Sequence, residues 1–182
     1  MSILNTENTA LIIVDIQQKL LNAVFNKETV EKNSKILAKA FNILEVPVFV
    51  TEQYPQGLGP TIEEVKTNLS SRTVFYEKVA FNALCNDNLY NDLLKNDIKN
   101  IIICGIETHI CVHQTVEALI QKGFNVTVIK DCCGSRNEQE YLSALNVMTH
   151  SGAYIKTTEM VLFEILKTAK HPSFKEIQAL IK

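Results

Sequence analysis

Cys111 is the residue of this sequence whose type and setting best fit a nucleophile. It follows NIIICGIETHI, in which an uninterrupted apolar run meets a glycine and then a polar corner. A buried strand that feeds a helix through a tight turn places the first helical residues at the carboxyl end of the sheet. Free backbone N–H groups and the positive end of the helix dipole point into that space. A thiol there is expected to have a lowered pKa and to be reactive.

Two charged side chains at other strand ends could complete the chemistry around Cys111. Asp15 ends the apolar run TALIIV, and a carboxylate at the end of a buried strand is costly unless it is paired or functional. Lys78 follows the short run VFY. A cysteine hydrolase needs a thiolate, a proton carrier and donors for the oxyanion. Asp15 could exchange the proton, and Lys78 could favour the charged forms of the carboxylate and the thiol.

Other residues that can bind metals or react lack the spacing of a known site. The five cysteines are an odd number without the spacing of a disulfide framework, so reduced thiols are expected. The adjacent Cys132 and Cys133 are poorly spaced as metal ligands. His109 and His113 could share a helix face, but neither a zinc-protease glutamate nor an obvious third ligand accompanies them. We therefore expect neither a metal nor a cofactor.

The elements that must position these residues alternate between strands and helices. Nearly continuous apolar runs predict parallel strands covered on both faces, and right-handed crossovers then place helices on both sides of one sheet. The prediction is a single domain, residues 1–182, with a three-layer α/β/α Rossmann-like fold and a central parallel six-stranded sheet. The expected strands are Thr9–Ile16, Val46–Val50, Val74–Tyr76, a fourth run through Ile101–Cys104, Asn125–Lys130 and Ala153–Lys156.

Helix starts and loops give further expectations. The sequence Ser135-Arg136-Asn137-Glu138 fits a capping box, as does the tetrapeptide from Ser173, so the Ser135 hydroxyl is expected to cap a helix. The segment TEQYPQGLGP, residues 51–60, is expected to be a loop at the rim of the site.

Four residues near the predicted site could line a substrate pocket. These are Gln17, Tyr54, Phe81 and His109, and each is explained equally well by packing or by surface placement.

Composition excludes several classes of function. The net charge of −2 gives no support for nucleic-acid or anionic-membrane binding, and no apolar run approaches the length of a transmembrane helix. The N-terminal MSILNTEN lacks the features of a secretory signal, so a cytoplasmic location is expected. No glycine-rich phosphate-binding pattern follows a strand. A small-molecule substrate is the remaining expectation.

Three motifs carry a family resemblance. LIIVDIQ, EKVAFNAL and CGIETHICV, in this order, resemble the isochorismatase-like cysteine hydrolases over nearly the whole chain. GIETHICV with EQYPQGLG is most similar to the isochorismatase domain-containing subgroup. The resemblance implies a catalytic triad of Asp15, Lys78 and Cys111. It also implies a cis peptide before Glu107, whose N–H would join that of Cys111 in the oxyanion hole, and assembly as a homo-oligomer.

Departures from the family pattern narrow the expected reaction. Nicotinamidases of the family hold a metal with an aspartate and histidines after the second strand, but residues 51–60 contain neither type. True isochorismatases use the aspartate on a vinyl ether and do not need the cysteine. Cys111 therefore favours metal-independent hydrolysis of a small amide-like C–N substrate through a thioester. Two alternatives stay open: isochorismatase-type vinyl-ether hydrolysis with Asp15 as the acid, and a non-catalytic scaffold.

Overall fold

A central sheet of six parallel strands organises the molecule. The structure, a computed structural model, describes residues 4–182. The strands are β1 Thr9–Val14, β2 Val48–Gln53, β3 Val74–Lys78, β4 Asn100–Ile106, β5 Asn125–Gly134 and β6 Tyr154–Lys156. The strand order is β3-β2-β1-β4-β5-β6, and every adjacent pair is parallel. The predicted α/β architecture is therefore confirmed.

Helices follow the strands and flank the sheet. The helices are α1 Gln18–Leu21, α2 Lys27–Ile43, α3 Pro55–Leu58, α4 Glu63–Lys66, α5 Asp87–Lys95, α6 His113–Gln121, α7 Glu138–His150, α8 Thr158–Leu166 and α9 Phe174–Ile181. Helix α2 packs against α8 and α9, and α6 packs against α7. Within residues 4–182, none of these helices has the length and hydropathy needed to span a membrane.

The two central strands, β1 and β4, form the middle of the core. Every residue of both strands is buried, as expected for strands covered on both faces. Near the end of β4, Gly105 has a φ of +138° and lies beside Val14 of β1. A Cβ at this position would lie 2.0 Å from the Val14 carbonyl oxygen. Glycine is therefore required for β4 to approach β1 at the edge where both strands end.

Several element boundaries differ from the sequence-based predictions. Strand β2 continues through Gln53, and the residues predicted as its following loop contain helix α3. Strand β3 extends to Lys78, and β5 extends to Gly134 with a register shift against β4. These extensions contain polar or small residues, and several of them are buried at the carboxyl edge, including Thr51, Lys78, Cys132 and Cys133. The hydropathy pattern of the sequence therefore does not locate these strand ends.

Both predicted capping boxes are wrong. Helix α7 is capped by Asn137, whose side chain accepts a hydrogen bond from the Glu140 N–H. Ser135 still lies in the segment after β5, and its hydroxyl contacts His109 instead. Ser173 precedes α9 without a side-chain capping bond. Helix α5 is capped by Asn86, whose side chain accepts from the N–H groups of Asn88 and Leu89.

Candidate active site

The strand order brings the three predicted catalytic residues to the same edge of the sheet. Asp15 follows β1, Lys78 ends β3, and Cys111 follows β4. Because β3, β2, β1 and β4 are consecutive in the sheet, these residues meet at its carboxyl edge. The boundary between β1 and β4 is where the direction of strand addition reverses, which is the usual ligand-binding crevice of open α/β sheets.

Asp15 and Lys78 form a buried ion pair. Lys78 Nζ lies 2.6 Å from Asp15 Oδ2. Lys78 is 6% exposed and Asp15 is 0% exposed. Removing one partner of a buried pair typically costs about 3–5 kcal/mol, because the other charge is left uncompensated. Loss of either partner would therefore be expected to destabilise the folded protein.

The Asp15 carboxylate receives donors from three directions. Lys78 Nζ contacts one oxygen, Thr51 Oγ1 donates to the other at 2.7 Å, and the Cys111 thiol also hydrogen-bonds to the carboxylate. Burial raises the pKa of Asp15 above its usual value, while Lys78 and the hydroxyl and thiol donors oppose that rise. A carboxylate with a raised pKa is a better proton acceptor than an exposed one.

The backbone of Asp15 has an uncommon conformation. Its φ is +52°, in the left-handed region that residues with a Cβ adopt at a cost of roughly 1–2 kcal/mol. Aspartate tolerates this region better than most residues. The conformation lies at the point where the chain leaves β1, beside the ion pair. Such strain concentrates at functional sites.

Cys111 is not at the start of an α-helix, as the sequence indicated. A π-helical turn, Thr108–Val112, precedes α6, and the Val112 N–H donates to the Glu107 carbonyl at 3.2 Å. Cys111 therefore lies inside the first turn of the helical segment and is 6% exposed. Single π-helical turns occur frequently at functional sites.

The expected lowering of the thiol pKa is also wrong. Burial and the neighbouring Asp15 carboxylate raise the pKa of Cys111 from 9.0 to about 12. The Lys78 cation and a hydrogen bond from the Glu107 backbone oppose this rise without cancelling it. The resting site therefore holds a protonated thiol that donates to Asp15. Nucleophilic attack by this thiol would require the loss of this proton.

Glu107 contributes differently through its backbone and its side chain. Its backbone contacts the thiol, and the peptide bond that joins it to Ile106 is cis. Its carboxylate forms a two-point ion pair with Arg136, with N–O distances of 2.7 and 3.2 Å. The side chain is thus anchored to the segment after β5, while the N–H faces Cys111.

The four candidate pocket residues differ in their burial. Gln17 is fully buried, and its amide bonds to the backbone of Gln53 and Gly59, which makes it a structural anchor. Tyr54 and Phe81 are 55% and 52% exposed, so their rings are available to a ligand. His109 is half-buried, with Nδ1 3.0 Å from Ser135 Oγ.

Two residues that sequence reasoning missed touch the ion pair. Thr51 contacts Asp15, and Gln53 Oε1 accepts from Lys78 Nζ at 2.7 Å. Both were included in a predicted loop, although they continue β2. Thr51 and Gln53 share one face of the strand because they are two residues apart. Glu52 between them is polar as well, so no alternation in the sequence marked this face.

The remaining cysteines and histidines lie outside the group formed by Asp15, Lys78 and Cys111. All five cysteines are free, as expected, and Cys104, Cys132 and Cys133 are buried. His113 lies 3.8 Å from Glu117. Over residues 4–182, no group of three or more potential ligand side chains has an arrangement that could hold a metal ion.

Known proteins are similar to this chain in sequence. The model of the isochorismatase domain matches residues 9–160. Isochorismatase family protein 1B of Dictyostelium discoideum is 39% identical over 180 residues, covering 97% of this chain and 87% of that protein. Isochorismatase domain-containing protein 2 of Xenopus laevis is 38% identical over 181 residues, covering 98% and 85%.

Solved structures extend the similarity to three dimensions. One described as MAR1 ribonuclease from Caenorhabditis elegans has a TM-score of 0.93 and 35% identity, covering 98% of this chain and 91% of its own. YcaC from Pseudomonas aeruginosa, solved with hexane-2,5-diol and covalent acrylamide, has a TM-score of 0.91 and 25% identity, covering 97% and 90%. This chain belongs to the isochorismatase family.

Proposed function

We propose that this protein is a metal-independent cysteine hydrolase that cleaves a small amide-like substrate at a C–N bond. The observation that carries the proposal is the direct contact of Asp15 with both Lys78 and the Cys111 thiol. A nucleophile, a proton acceptor and a fixed cation are thereby in one row. The family's general hydrolase chemistry supports the same reading.

The reaction begins with the neutral thiol. Cys111 Sγ attacks the carbonyl carbon as its proton passes to Asp15, and the carbonyl oxygen becomes an oxyanion. The N–H groups of Glu107 and Cys111 are the proposed donors to that oxygen. Asp15 then returns the proton to the nitrogen as the C–N bond breaks, leaving a thioester and a free amine.

Water completes the cycle. It attacks the thioester carbonyl while Asp15 accepts a proton, and the carboxylic acid leaves as the proton returns to Cys111. Lys78 remains an ammonium throughout and stabilises the negative charge that moves between carboxylate and sulfur. Tyr54, Phe81 and His109 are proposed to contact the substrate at the mouth of the site. Gln17 is proposed to hold the strand end behind it.

Covalent chemistry on a related protein supports the choice of probe. The Pseudomonas aeruginosa structure contains covalent acrylamide, a small amide with an alkene that reacts with thiols. We propose that acrylamide also reaches Cys111 here. Intact-mass measurement on Cys85→Ser and on Cys85→Ser/Cys111→Ser, which both lack the exposed thiol, tests this, with a single adduct expected on the first protein and none on the second. An equal adduct on both proteins would contradict the assignment.

Two other functions make different predictions. Vinyl-ether hydrolysis with Asp15 as the acid predicts that Cys111→Ala turns over isochorismate as fast as wild type. A scaffold role predicts no turnover of any substrate. Slow alkylation at neutral pH does not indicate a scaffold, because the raised thiol pKa makes it the expected behaviour of the enzyme as well.

The ribonuclease name of the Caenorhabditis elegans structure suggests a further substrate for the test panel. The charge of this site favours a neutral substrate instead. Lys78, the cation that acts on the thiol, is already neutralised by Asp15 at 2.6 Å. RNA should therefore remain intact in the presence of wild-type protein, under conditions in which a small amide is hydrolysed.

A further inference from the structure

Strand β2 lies between the strands that carry Asp15 and Lys78, and it contacts both residues. Thr51 and Gln53 are two positions apart on this strand and therefore share one face. Thr51 Oγ1 donates to Asp15, and Gln53 Oε1 accepts from Lys78. Each member of the ion pair thus has its own side-chain contact on the intervening strand.

Gln53 is fixed at several points. Its side-chain Nε2 donates to the Val79 carbonyl at 2.6 Å, just beyond β3. Its backbone N–H donates to Gln17 Oε1 at 2.8 Å, and its carbonyl accepts from Gln17 Nε2 at 3.0 Å. The fully buried Gln17 therefore holds the Gln53 backbone, and Val79 sets the orientation of its amide. An acceptor held in this way has little freedom to follow the ammonium.

The Lys78 ammonium has more acceptors than protons. Its Nζ contacts Asp15 at 2.6 Å, Gln53 at 2.7 Å, and the carbonyls of Phe81 and Ala80 at 3.2 and 3.3 Å. The Gln53 contact is much shorter than those to the two carbonyls. Loss of the Gln53 oxygen would leave the ammonium to be drawn towards its remaining acceptors.

We infer that Gln53 is a positioning residue, which holds the Lys78 ammonium where its charge acts on both Asp15 and the Cys111 thiol. This inference rests on the proposed role of Lys78 in the hydrolase. It assigns Gln53 to the site through Lys78 and not through contact with a substrate. A neutral acceptor suits the task, because it orients the cation without cancelling its charge.

A purely structural role for Gln53 predicts the opposite result. If Gln53 only tied the end of β2 to the neighbouring backbone, its loss would loosen the site and expose Cys111. An exposed thiol regains an ordinary pKa and reacts faster. A displaced cation in an intact site instead lowers the thiolate fraction and slows the reaction.

The experiment measures acrylamide addition to Cys111 in Gln53→Met and Gln53→Glu, by intact mass over time. All variants carry Cys85→Ser, which removes the exposed thiol and leaves Cys111 and three buried cysteines. At about pH 8 the rate follows the thiolate fraction, because the Cys111 pKa is raised to about 12. The matched control is Gln56→Met, since Gln56 is an exposed glutamine of the same segment that contacts Glu77.

We expect Gln53→Met to lower the rate about three- to tenfold, which corresponds to a thiol pKa rise of about half to one unit. Gln53→Glu should lower it further, because a second carboxylate beside Lys78 adds negative charge near the thiol. It keeps the shape of glutamine, so its result stands if Gln53→Met does not fold. Gln56→Met should stay within about twofold of the parent.

A rate that is unchanged or increased in either folded Gln53 variant would overturn the inference. This readout needs no turnover, so it is separate from the proposed function. If the parent protein adds acrylamide but hydrolyses no substrate, only the proposed hydrolase is contradicted. If the parent hydrolyses an amide and Gln53→Glu alkylates at the parental rate, only the role of Gln53 is contradicted.

Discussion

At the scale of single residues, the site is organised around a proton that Cys111 and Asp15 share. Burial raises the pKa of both groups, and Lys78 compensates only in part. A thiolate formed in advance is therefore absent from the resting state. We therefore expect the cost of deprotonating the thiol to fall on the proposed reaction itself, where the proposed oxyanion donors would offset it.

The pH dependence of alkylation follows from the raised thiol pKa. In the Cys85→Ser protein, acrylamide addition to Cys111 should still increase with pH well above 9.0 and level off only near 12. The reason is that the thiolate fraction grows until the pH passes the pKa. Stopped time courses analysed by intact mass give the profile. A plateau already reached at about pH 8 would show a preformed thiolate instead.

Removing either charge of the ion pair should change the thiol in opposite directions. Asp15→Asn removes a carboxylate that raises the Cys111 pKa, so alkylation at about pH 8 should become at least about tenfold faster. Lys78→Met removes a cation that lowers it, so alkylation should become slower. Each variant should also lose about 3–5 kcal/mol of unfolding free energy.

Turnover provides the second readout of these variants. Asp15→Asn and Lys78→Met should both lose hydrolysis, although the Cys111 thiol of Asp15→Asn should be more reactive than that of wild type. The comparison of hydrolysis with alkylation therefore separates proton transfer by Asp15 from thiol reactivity. Faster alkylation accompanied by undiminished hydrolysis in Asp15→Asn would show that Asp15 is not the base.

At the scale of elements, the sequence predicted strands better than it predicted their ends. The apolar runs of β1 and β4 are continuous because both strands are buried on both faces. The polar end of β2 was predicted as a loop, because the side chains of Thr51 and Gln53 contact the Asp15–Lys78 pair and do not continue the apolar pattern of the core. Thr51 and Gln53 were missed for this reason.

The π-helical turn before α6 was also beyond sequence reasoning. One added residue in a turn leaves the apolar periodicity of a helix almost unchanged, so Cys111 was predicted to open an α-helix. Ser135 illustrates a related difficulty. Its spacing to Glu138 fits a cap, but Asn137 lies closer to the helix and takes that role.

Gly105 should tolerate substitution less well than any open glycine with a positive φ. Gly105→Ala would place a Cβ 2.0 Å from the Val14 carbonyl oxygen, so β1 and β4 would have to separate. We expect a loss of more than about 3 kcal/mol of unfolding free energy. Gly123→Ala is the control, because Gly123 has a φ of +87° but nothing near its Cβ position.

This control separates the cost of a positive φ from the cost of a steric clash at the Cβ position. Gly123→Ala should cost about 1–2 kcal/mol, which is the price of the left-handed conformation for a residue with a Cβ. Urea denaturation of both variants measures the two values. Equal losses would mean that β4 can move away from β1 without cost, contrary to the close approach described here.

At the scale of the whole molecule, buried acidic groups should make the fold sensitive to alkali. The folded-state pKa values of Cys111, Cys132 and Cys133 are raised above 9.0, and that of Tyr76 is raised above 10.0. Between the unfolded and folded pKa values, the folded protein binds more protons than the unfolded chain. The unfolding free energy therefore falls as pH rises through this window.

Cys111→Ala should reduce this alkaline sensitivity. For Cys111 the window runs from 9.0 to about 12. Each fully titrating group contributes a slope of up to about 1.4 kcal/mol per pH unit. Urea denaturation at several pH values should show a shallower slope in Cys111→Ala than in wild type. The exposed Cys85 supplies the control, and Cys85→Ala should leave the slope unchanged.

Assembly into a homo-oligomer remains a prediction at this scale. Edge strand β3 and the residues after it expose apolar side chains, including Phe75, Val79 and Phe81 at 40%, 78% and 52%. Exposed edge strands with apolar side chains favour association. Light scattering should give a multiple of the 20.5 kDa chain mass. A monomer at all concentrations would contradict this expectation.

The proposed hydrolysis requires Cys111 to form a thioester with the acyl part of an amide-like substrate. The most direct test incubates wild type, Asp15→Asn and Cys111→Ala with a panel of small amides, quenches with acid and measures intact mass alongside amine release. We expect an acyl adduct on Cys111 and amine release in wild type, with neither in Cys111→Ala. Amine release by Cys111→Ala at the wild-type rate would contradict it.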